Sequence, residues 1–519
     1  MPLTQNWTVR KPGISSQGGI VAAQSHAAAT IGADILAAGG SAVDAAVAAA
    51  LAGAAAEPWS SGLGGIGFMV VHRAGAPHAE VIDFGPVSPR GLDPAAYPLT
   101  DAIRTELFTW PQSVVGDRNV HGPLAFAIPS AVRGYGAAVE RFGRMPWREL
   151  AAPAAALARE GLPIDWFTTL KVANAAADLR RYDESRRIWL PDGLPPVGAS
   201  DGDIPRLSLG QLAETLERLA EAGPEDFYQG EIARAIAADS RAAGGFMSAD
   251  DLADCRARIV ASLDIAYRGV TVQTAPGMTA GPTLGAVLGR LASQRFGAMP
   301  DAGYFEAVIE TLRAAYADRL ERAGDAEAGA QTSTTHITAI DRDGTIVSLT
   351  TTLLSLFGSY YVLPSTGILM NNGIMWFDPR PGRPNSIAPG KRALTNMCPI
   401  VVARDGRPWL GLGASGGRRI LAAVSQMTSF FVDFGMDPET AAHHPRIDVS
   451  GSDRIAIDRR LPPAILEPLS RKPGATLVEH TVYPGRFACP NLVLRDAAGL
   501  NHGISDVMSP WSAAVAEPG

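Results

Sequence analysis

The chain has 519 residues, 46% hydrophobic and 19% charged, with a formal net charge of −7. That length leaves room for two or three average domains, and the composition is that of a globular protein with a large core. The acidic balance and the lack of any basic run of five or more residues exclude nucleic acid or an anionic membrane as the main partner.

The first residues, "MPLTQNWTVRKPGISSQGG", carry no long apolar core, so no signal peptide is expected and a cytoplasmic location is the default. "QSHAAATIGADILAAGG" (24–40) predicts a helix stopped by Gly39-Gly40. Ser41, with Asp44 three positions on, predicts the cap of a second helix ending near Pro58. Its Ala-rich tract, 42–56, is too short and too weakly apolar to span a membrane. "GLGGIG" (62–67) has the spacing of a dinucleotide loop. It follows a helix and leads into a strand, the reverse of what that loop needs, so it reads as a packing turn. "GFMVVHR" (67–73) and "AEVIDFG" (79–85) predict a strand pair. From about 130 to 330 the pattern is mainly helical, clearest at 210–222 and 303–322.

"ERAGDAEAGAQTS" (321–333) has no apolar stripe and predicts a mobile loop. Beyond it, "THITAI" and "TIVSLTTTL" flank an Asp-Gly hairpin signal. "PIVVA" and "WLGLGA", then "NLVLRD" and "LNHGIS", repeat the pattern, with a Pro-rich loop at 377–392 and one clear helix at about 418–434. The last third is therefore expected to be rich in antiparallel strands. Cys255, Cys398 and Cys489 lie far apart with no CxxC, which fits a reducing compartment. His443-His444 and the other histidines lack metal-ligand spacing, so neither metal nor cofactor is expected.

Two segments carry candidate chemistry. "GASGG" (413–417) matches GxSxG between a strand and a helix, as a serine nucleophile elbow requires. Asp433 or Asp437 with His443 or His444 would complete such a site. The alternative is a glycine turn whose backbone N–H groups, at a helix N-terminus, suit an oxyanion. The second segment, 328–358, is crowded with Thr and Ser around one His. An ordinary Thr-rich hairpin explains it, and so does a nucleophile. A Thr made the first residue of a chain has an α-amine of pKa near 8 to take its proton. That requires a cut before the Thr, and it predicts a polar loop upstream and a strand downstream; the sequence offers the loop at 321–333 and the strand at 334–340.

"TTHITAIDRDGTIVSLTTTLLSLFG" (334–358) resembles the signature of the γ-glutamyltransferase family of self-cleaving N-terminal nucleophile hydrolases. The matching residues are Thr334-Thr335-His336, Gly344, Thr350-Thr351-Thr352-Leu353 and Phe357-Gly358. Residues 39–68 resemble the family's N-terminal block, "KRALTNMCPIVV" (391–402) its Ser-Ser pocket segment, and "GASGGRRI" (413–420) its glycine pair. The resemblance spans effectively the whole chain. It implies an α+β, four-layer αββα sandwich with two stacked antiparallel sheets. It implies cleavage between Ser333 and Thr334 into a large subunit, 1–333, and a small one, 334–519, that stay associated in one or two pairs per particle. Thr334 would be the nucleophile, Thr352 its hydrogen-bond partner, and Gly416 and Gly417 the oxyanion donors.

Departures from the family pattern point to the substrate. Gly85 stands where the family has an Arg that grips a glutamyl carboxylate. Leu354 stands for Asn or Glu, Gly373 for a polar residue, and Trp376 for an acid that holds the donor's amine. Thr395 and Asn396 replace the Ser-Ser pair. Arg392 or Arg380 is the candidate replacement cation. The expected function is a threonine amidohydrolase acting on a small carboxylated or acyl amide, with a true glutathione hydrolase as the nearest alternative. A serine hydrolase using Ser415, or an uncleaved binding protein, is the alternative of another class.

Overall fold

The computed structural model describes residues 9–103, 112–323, 332–450, 453–482 and 485–518, without the side chains of 103, 320–323, 332 and 333. Fourteen strands build its centre. In chain order they are β1 (Ile14–Ser16), β2 (Ile20–Ala23), β3 (Ile66–His72), β4 (Glu80–Phe84), β5 (Arg258–Ala261), β6 (Leu263–Tyr267), β7 (Val270–Thr274), β8 (Thr332–Ile340), β9 (Ile346–Ser355), β10 (Ile400–Arg404), β11 (Arg407–Ser415), β12 (Cys489–Arg495), β13 (Asn501–Ser505) and β14 (Ala513–Ala516). One seven-stranded sheet has the order β1-β13-β12-β11-β10-β7-β6, the other β14-β2-β8-β9-β3-β4-β5. Every neighbouring pair in both is antiparallel.

The helices that cover them are α1 (His26–Ala37), α2 (Ala42–Ala56), α3 (Ala131–Phe142), α4 (Trp147–Glu160), α5 (Trp166–Leu179), α6 (Leu212–Ala222), α7 (Gly281–Ala292), α8 (Ala302–Ala323) and α9 (Arg419–Val432). Strand alternation divides the buried side chains into three large clusters, one for each interface between layers. Val21, Met69, Ile337, Ala339, Val347 and Leu349 face α1 to α6. Ile20, Phe68, Val70, Ile340, Ile346, Val401 and Val493 fill the space between the sheets. Val272, Ile400, Leu410, Leu412 and Leu492 face α7 to α9. Three interfaces make four layers, the αββα sandwich expected.

The Ala-rich tract explains itself here. All fifteen residues of α2 are buried, and small side chains let sheet and helices close on it from every side. Ser41 and Asp44 form a complete capping box. Among the described residues no helix is long and apolar enough to cross a membrane, and no cluster of metal-ligating side chains occurs. The three cysteines are free and buried, and burial pushes each thiol up to about 12.

Three expectations need correction. The helix expected over 303–322 runs to Ala323, and Thr332 and Ser333 already belong to β8, so only the middle of the expected loop is left; residues 324–331 lie outside the described residues. The tract read as mainly helical also contains β5, an edge strand on β4, and the β6–β7 hairpin at the edge of the other sheet. The last third holds two further helices, Pro438–His443 and Pro463–Ser470, and a small sheet whose Ile455–Asp458 and Ala475–Val478 strands are parallel. Both helices are too short to print a 3.6-residue period on the sequence.

Candidate active site

The hydroxyl-rich hairpin is β8 and β9. Alternation turns Thr334, His336 and Thr338 of β8, and Ser348, Thr350 and Thr352 of β9, toward the opposite sheet. There they form a polar seam in an apolar interface. His336 Nδ1 pairs with Thr350 Oγ1 at 2.9 Å, the Ser348 hydroxyl donates to the Leu412 carbonyl at 3.0 Å, and Asn491 Nδ2 donates to the His336 carbonyl at 2.6 Å. The His336 ring is fully buried and lies where a side chain at Gly413 would be. A Cβ there would sit 2.6 Å from Nδ1, 2.5 Å from Nε2 and nearer still to Cε1. Burial pushes the imidazole down to about 3, so it is neutral at ordinary pH.

That shift carries a pH dependence. The group's ordinary value is 6.5 and its folded value is depressed, so the folded state binds fewer protons between the two. The stability it contributes is full above pH 6.5 and is lost as pH falls toward 3, at up to about 1.4 kcal/mol per pH unit. Urea unfolding from pH 7 to 4 is expected to be steeper for the wild type than for His336→Gln. Equal slopes would refute the buried neutral imidazole.

At Thr334 the ladder breaks its register. Ser333 opposes Leu354 and Thr335 opposes Thr351, so Thr352 and Leu353 together face Thr334 in a β-bulge. The bulge aims side chains. Thr352 Oγ1 accepts the Leu354 N–H at 2.8 Å, in a Thr turn, and lies 3.2 Å from Thr334 Oγ1. Leu354 has φ +85°, a conformation unfavourable for a branched side chain. The neighbouring backbone holds it there: Leu353 N–H donates to the Ser60 carbonyl at 3.0 Å and Ser355 N–H to Asn372 Oδ1 at 3.1 Å.

Cross-sheet register carries the site to the glycine pair. A Cβ at Gly411 would touch Thr338, and one at Gly413 would overlap His336. The next inward residue of β11 is Ser415, at the strand's end, and Gly416 and Gly417 follow it. Gly416 has φ +131°, and a Cβ there would lie 2.8 Å from the Ala488 Cα; Gly417 has φ +60°. The pair turns β11 into the N-terminus of α9. Antiparallel pairing brings the remaining candidates to this same end of the sandwich. Ile66 of β3 pairs with Thr352, Phe84 of β4 pairs with Gly67, and Ile400, at the start of β10, pairs with Leu412. Gly85, Leu354, Thr395 and Asn396 all lie just past these points.

Four positions taken as substrate-binding are packed. Leu354 and Trp376 lie in the inter-sheet cluster with Phe68 and Met375, each 2% exposed. A Cβ at Gly373 would lie 2.5 Å from that of Ala127. One at Gly85 would lie 2.5 Å from the Phe68 ring and 3.1 Å from Arg392 Nη2. Thr395 is buried, bonding Met278 O through its N–H at 2.9 Å, while Asn396 is half-exposed. The two candidate cations each already meet an acid: Arg392 shares Asp83 with Arg258, and Arg380 makes a bidentate contact with Asp378.

The serine-hydrolase constellation is not assembled. The Ser415 hydroxyl accepts from Gln24 Nε2. Asp433 pairs with Arg268 and Tyr267, Asp437 caps the helix at Pro438, His443 bonds the Lys11 carbonyl and His444 the Pro445 carbonyl. Sequence reasoning passed over four groups. Arg319 looked like one more solvated charge on a helix. Asn491 sat unremarked in a strand. Glu57, just before Pro58, is buried and pushed up to about 8, and burial pushes Lys171 down to about 8.

Comparison with known proteins places this arrangement. The family model for gamma-glutamyltranspeptidase matches residues 28–332 and 326–516. The glutathione hydrolase proenzyme of Escherichia coli (strain K12) is 29% identical, over 88% of this chain and 86% of that protein. The acylase ACY 1 proenzyme of Pseudomonas sp. (strain SE83) is 30% identical, over 90% of this chain and 89% of that protein. Among solved structures, a cephalosporin acylase from Bacillus halodurans superposes with a TM-score of 0.87 at 24% identity, covering 100% of this chain and 99% of that one, which supports the fold. The chain belongs to the gamma-glutamyltranspeptidase family and is an N-terminal-nucleophile hydrolase acting on C–N amide bonds.

Proposed function

We propose that the chain cuts itself between Ser333 and Thr334, and that the freed Thr334 hydrolyses a small carboxylated or acyl amide rather than glutathione. The observation that carries this reading is the Thr334–Thr352 hydroxyl pair at 3.2 Å, at the bulge. Thr352 Oγ1 is fixed by the Leu354 N–H it accepts, within hydrogen-bond reach of Thr334 Oγ1. Thr334 Oγ1 attacks the amide carbonyl and the new α-amine takes its proton. The Gly416 and Gly417 N–H groups stabilise the oxyanion, and the proton passes to the departing amine. Water then cleaves the acyl-Thr334 ester. Two relatives bear the name proenzyme, which supports the cut. The packed Gly85, Gly373 and Trp376 support a donor other than glutamyl, because the charged grips for its head group have no counterpart there.

Intact-mass analysis tests the cut. Fragments 1–333 and 334–519 should appear at about 35 and 19 kDa, by share of the 54.3 kDa total. A fully active uncut chain would sink the proposal. Thr352→Ala is expected to lower kcat by about 10²-fold, the usual size of one proton-transfer or positioning contact, and Thr352→Ser to restore most of it. Ser415→Ala should keep most activity, since that position would serve only through the backbone around it. Its inactivity, with normal processing, would favour the serine reading.

A further inference from the structure

Ala488 lies directly behind the glycine turn. Ser415 pairs with Cys489 across β11 and β12, so the residues just outside that pair, Gly416 and Ala488, meet backbone to backbone. A Cβ on Gly416 would lie 2.8 Å from the Ala488 Cα. In a contact this close, a shift of one peptide is passed to the other. What seats Ala488 therefore also seats Gly416.

The Ala488 carbonyl accepts from Arg446 Nη2 at 3.3 Å. The Arg446 side chain is 1% exposed, and its Nε has no partner among the described residues. Its Nη1 contact, to Met427 Sδ of α9 at 3.6 Å, is weak. A buried guanidinium with so few partners stays where its acid holds it. That acid is Asp506, whose Oδ2 lies 2.8 Å from Nη2. Asp506 is aimed from its other side, where Oδ1 accepts the Met508 N–H at 2.8 Å and the His480 Nε2–H at 3.1 Å. Burial alone would push this carboxyl up; His480, Arg446 and the Met508 N–H hold it well below the usual carboxylate range.

His480 is 1% exposed, and the small sheet delivers it. Asp458 pairs with Val478, so His480, two residues on, reaches the same end. Arg460, bidentate on Asp458, donates to His480 Nδ1 at 2.7 Å, which leaves Nε2 as the donor to Asp506. The Phe487 ring, next to Ala488, lies 5.4 Å from the imidazole at a tilt.

We propose that His480 is a positioning residue for the glycine turn: by orienting Asp506 it seats Arg446, and Arg446 holds the Ala488 peptide that backs Gly416. This rests on the reading above, in which the Gly416 and Gly417 N–H groups stabilise the oxyanion, and it names what aligns them. None of these side chains is asked to touch the substrate; each acts through the next.

The test uses the processed enzyme, an acyl p-nitroanilide that it turns over, and phenylboronic acid, whose tetrahedral adduct with a hydroxyl places an oxygen where the oxyanion would sit. His480→Leu is expected to lower kcat about 30-fold, since an oxyanion donor misplaced costs less than the roughly 10²–10³-fold of a donor removed. KM should stay within about twofold, and the boronate Ki should rise by about the factor that kcat loses. His480→Gln can accept from Arg460 and donate to Asp506, so it should return kcat to within about threefold of the wild type. Arg460 is 40% exposed, so Arg460→Met covers the case in which His480→Leu does not fold; it should lower kcat about fivefold. Wild-type kcat in His480→Leu or in Arg460→Met overturns the inference. So do equal losses in the Leu and Gln variants, or a loss of kcat that leaves boronate binding unchanged. Boronate inhibition of the wild type that vanishes in Thr334→Ala upholds the amidohydrolase reading whichever way the His480 variants behave.

Discussion

Thr334→Ala is expected to accumulate as one uncut chain and to hydrolyse amides at least about 10⁴-fold more slowly than the processed wild type, as when a covalent nucleophile is removed elsewhere. Both reactions draw on the same oxygen. In the uncut chain Thr334 Oγ1 must reach the Ser333 carbonyl, and in the mature chain a substrate carbonyl. The side chain is 5% exposed and among the described residues its hydroxyl pairs with Thr352, so removing it should leave the surrounding fold in place. The loss should therefore appear in turnover and processing, with little change in thermal stability. Thr334→Ser keeps the oxygen and should still cut, more slowly, because the lost methyl frees its rotamer. Denaturing gels and kcat/KM on an anilide substrate decide the matter. Wild-type turnover by the Ala variant would remove Thr334 from the chemistry.

Gly413→Ala is expected to destabilise the protein by about 3 kcal/mol or to prevent folding, the upper range for overpacking a core. The added methyl would overlap the His336 ring. That ring cannot swing away cheaply, since Thr350 holds Nδ1 and Asn491 holds the carbonyl of the same residue. Relief has to come from separating β8 and β11, which would also carry Thr334 off the glycine pair. Gly289→Ala is the control, because that position on α7 has open space around it and should gain up to about 1 kcal/mol from helix propensity. Urea midpoints measure both. An unchanged midpoint for Gly413→Ala would show that the sheets are looser than the contact distances imply.

The candidate site was legible where local chemistry spoke. Asp343-Gly344 marked the hairpin, Gly416-Gly417 the turn into α9, and Ser41 with Asp44 the cap of α2. The bulge was not legible, since it depends on how two strands slip past each other opposite Thr334, and no single-strand pattern encodes that. Nor was the role of Gly413, which exists only because a ring from the other sheet arrives there. Arg319 was invisible for a similar reason. Among the charges of "YADRLER" nothing distinguishes one that donates to three neutral oxygens, on Thr279, Thr283 and Thr395, from one that points at water. Of the positions chosen for a substrate pocket, Trp376 and Leu354 are packed in the inter-sheet cluster with Phe68 and Met375, which their single-strand context does not reveal.

The strand order has a consequence for the protein once the proposed cut is made. In the sheet that carries Thr334, β14, β9 and nearly all of β8 come from beyond residue 333 and β2, β3, β4 and β5 from before it, with β2 between β14 and β8. Neither piece owns a complete sheet. While the chain is whole, each strand finds its neighbour at the high local concentration that a tether provides. Once the tether is gone, an unfolded molecule would have to recover its partner by diffusion, in competition with aggregation. The mature enzyme would then be durable through slow unfolding and not through the ability to refold, and it could be made only once from each chain.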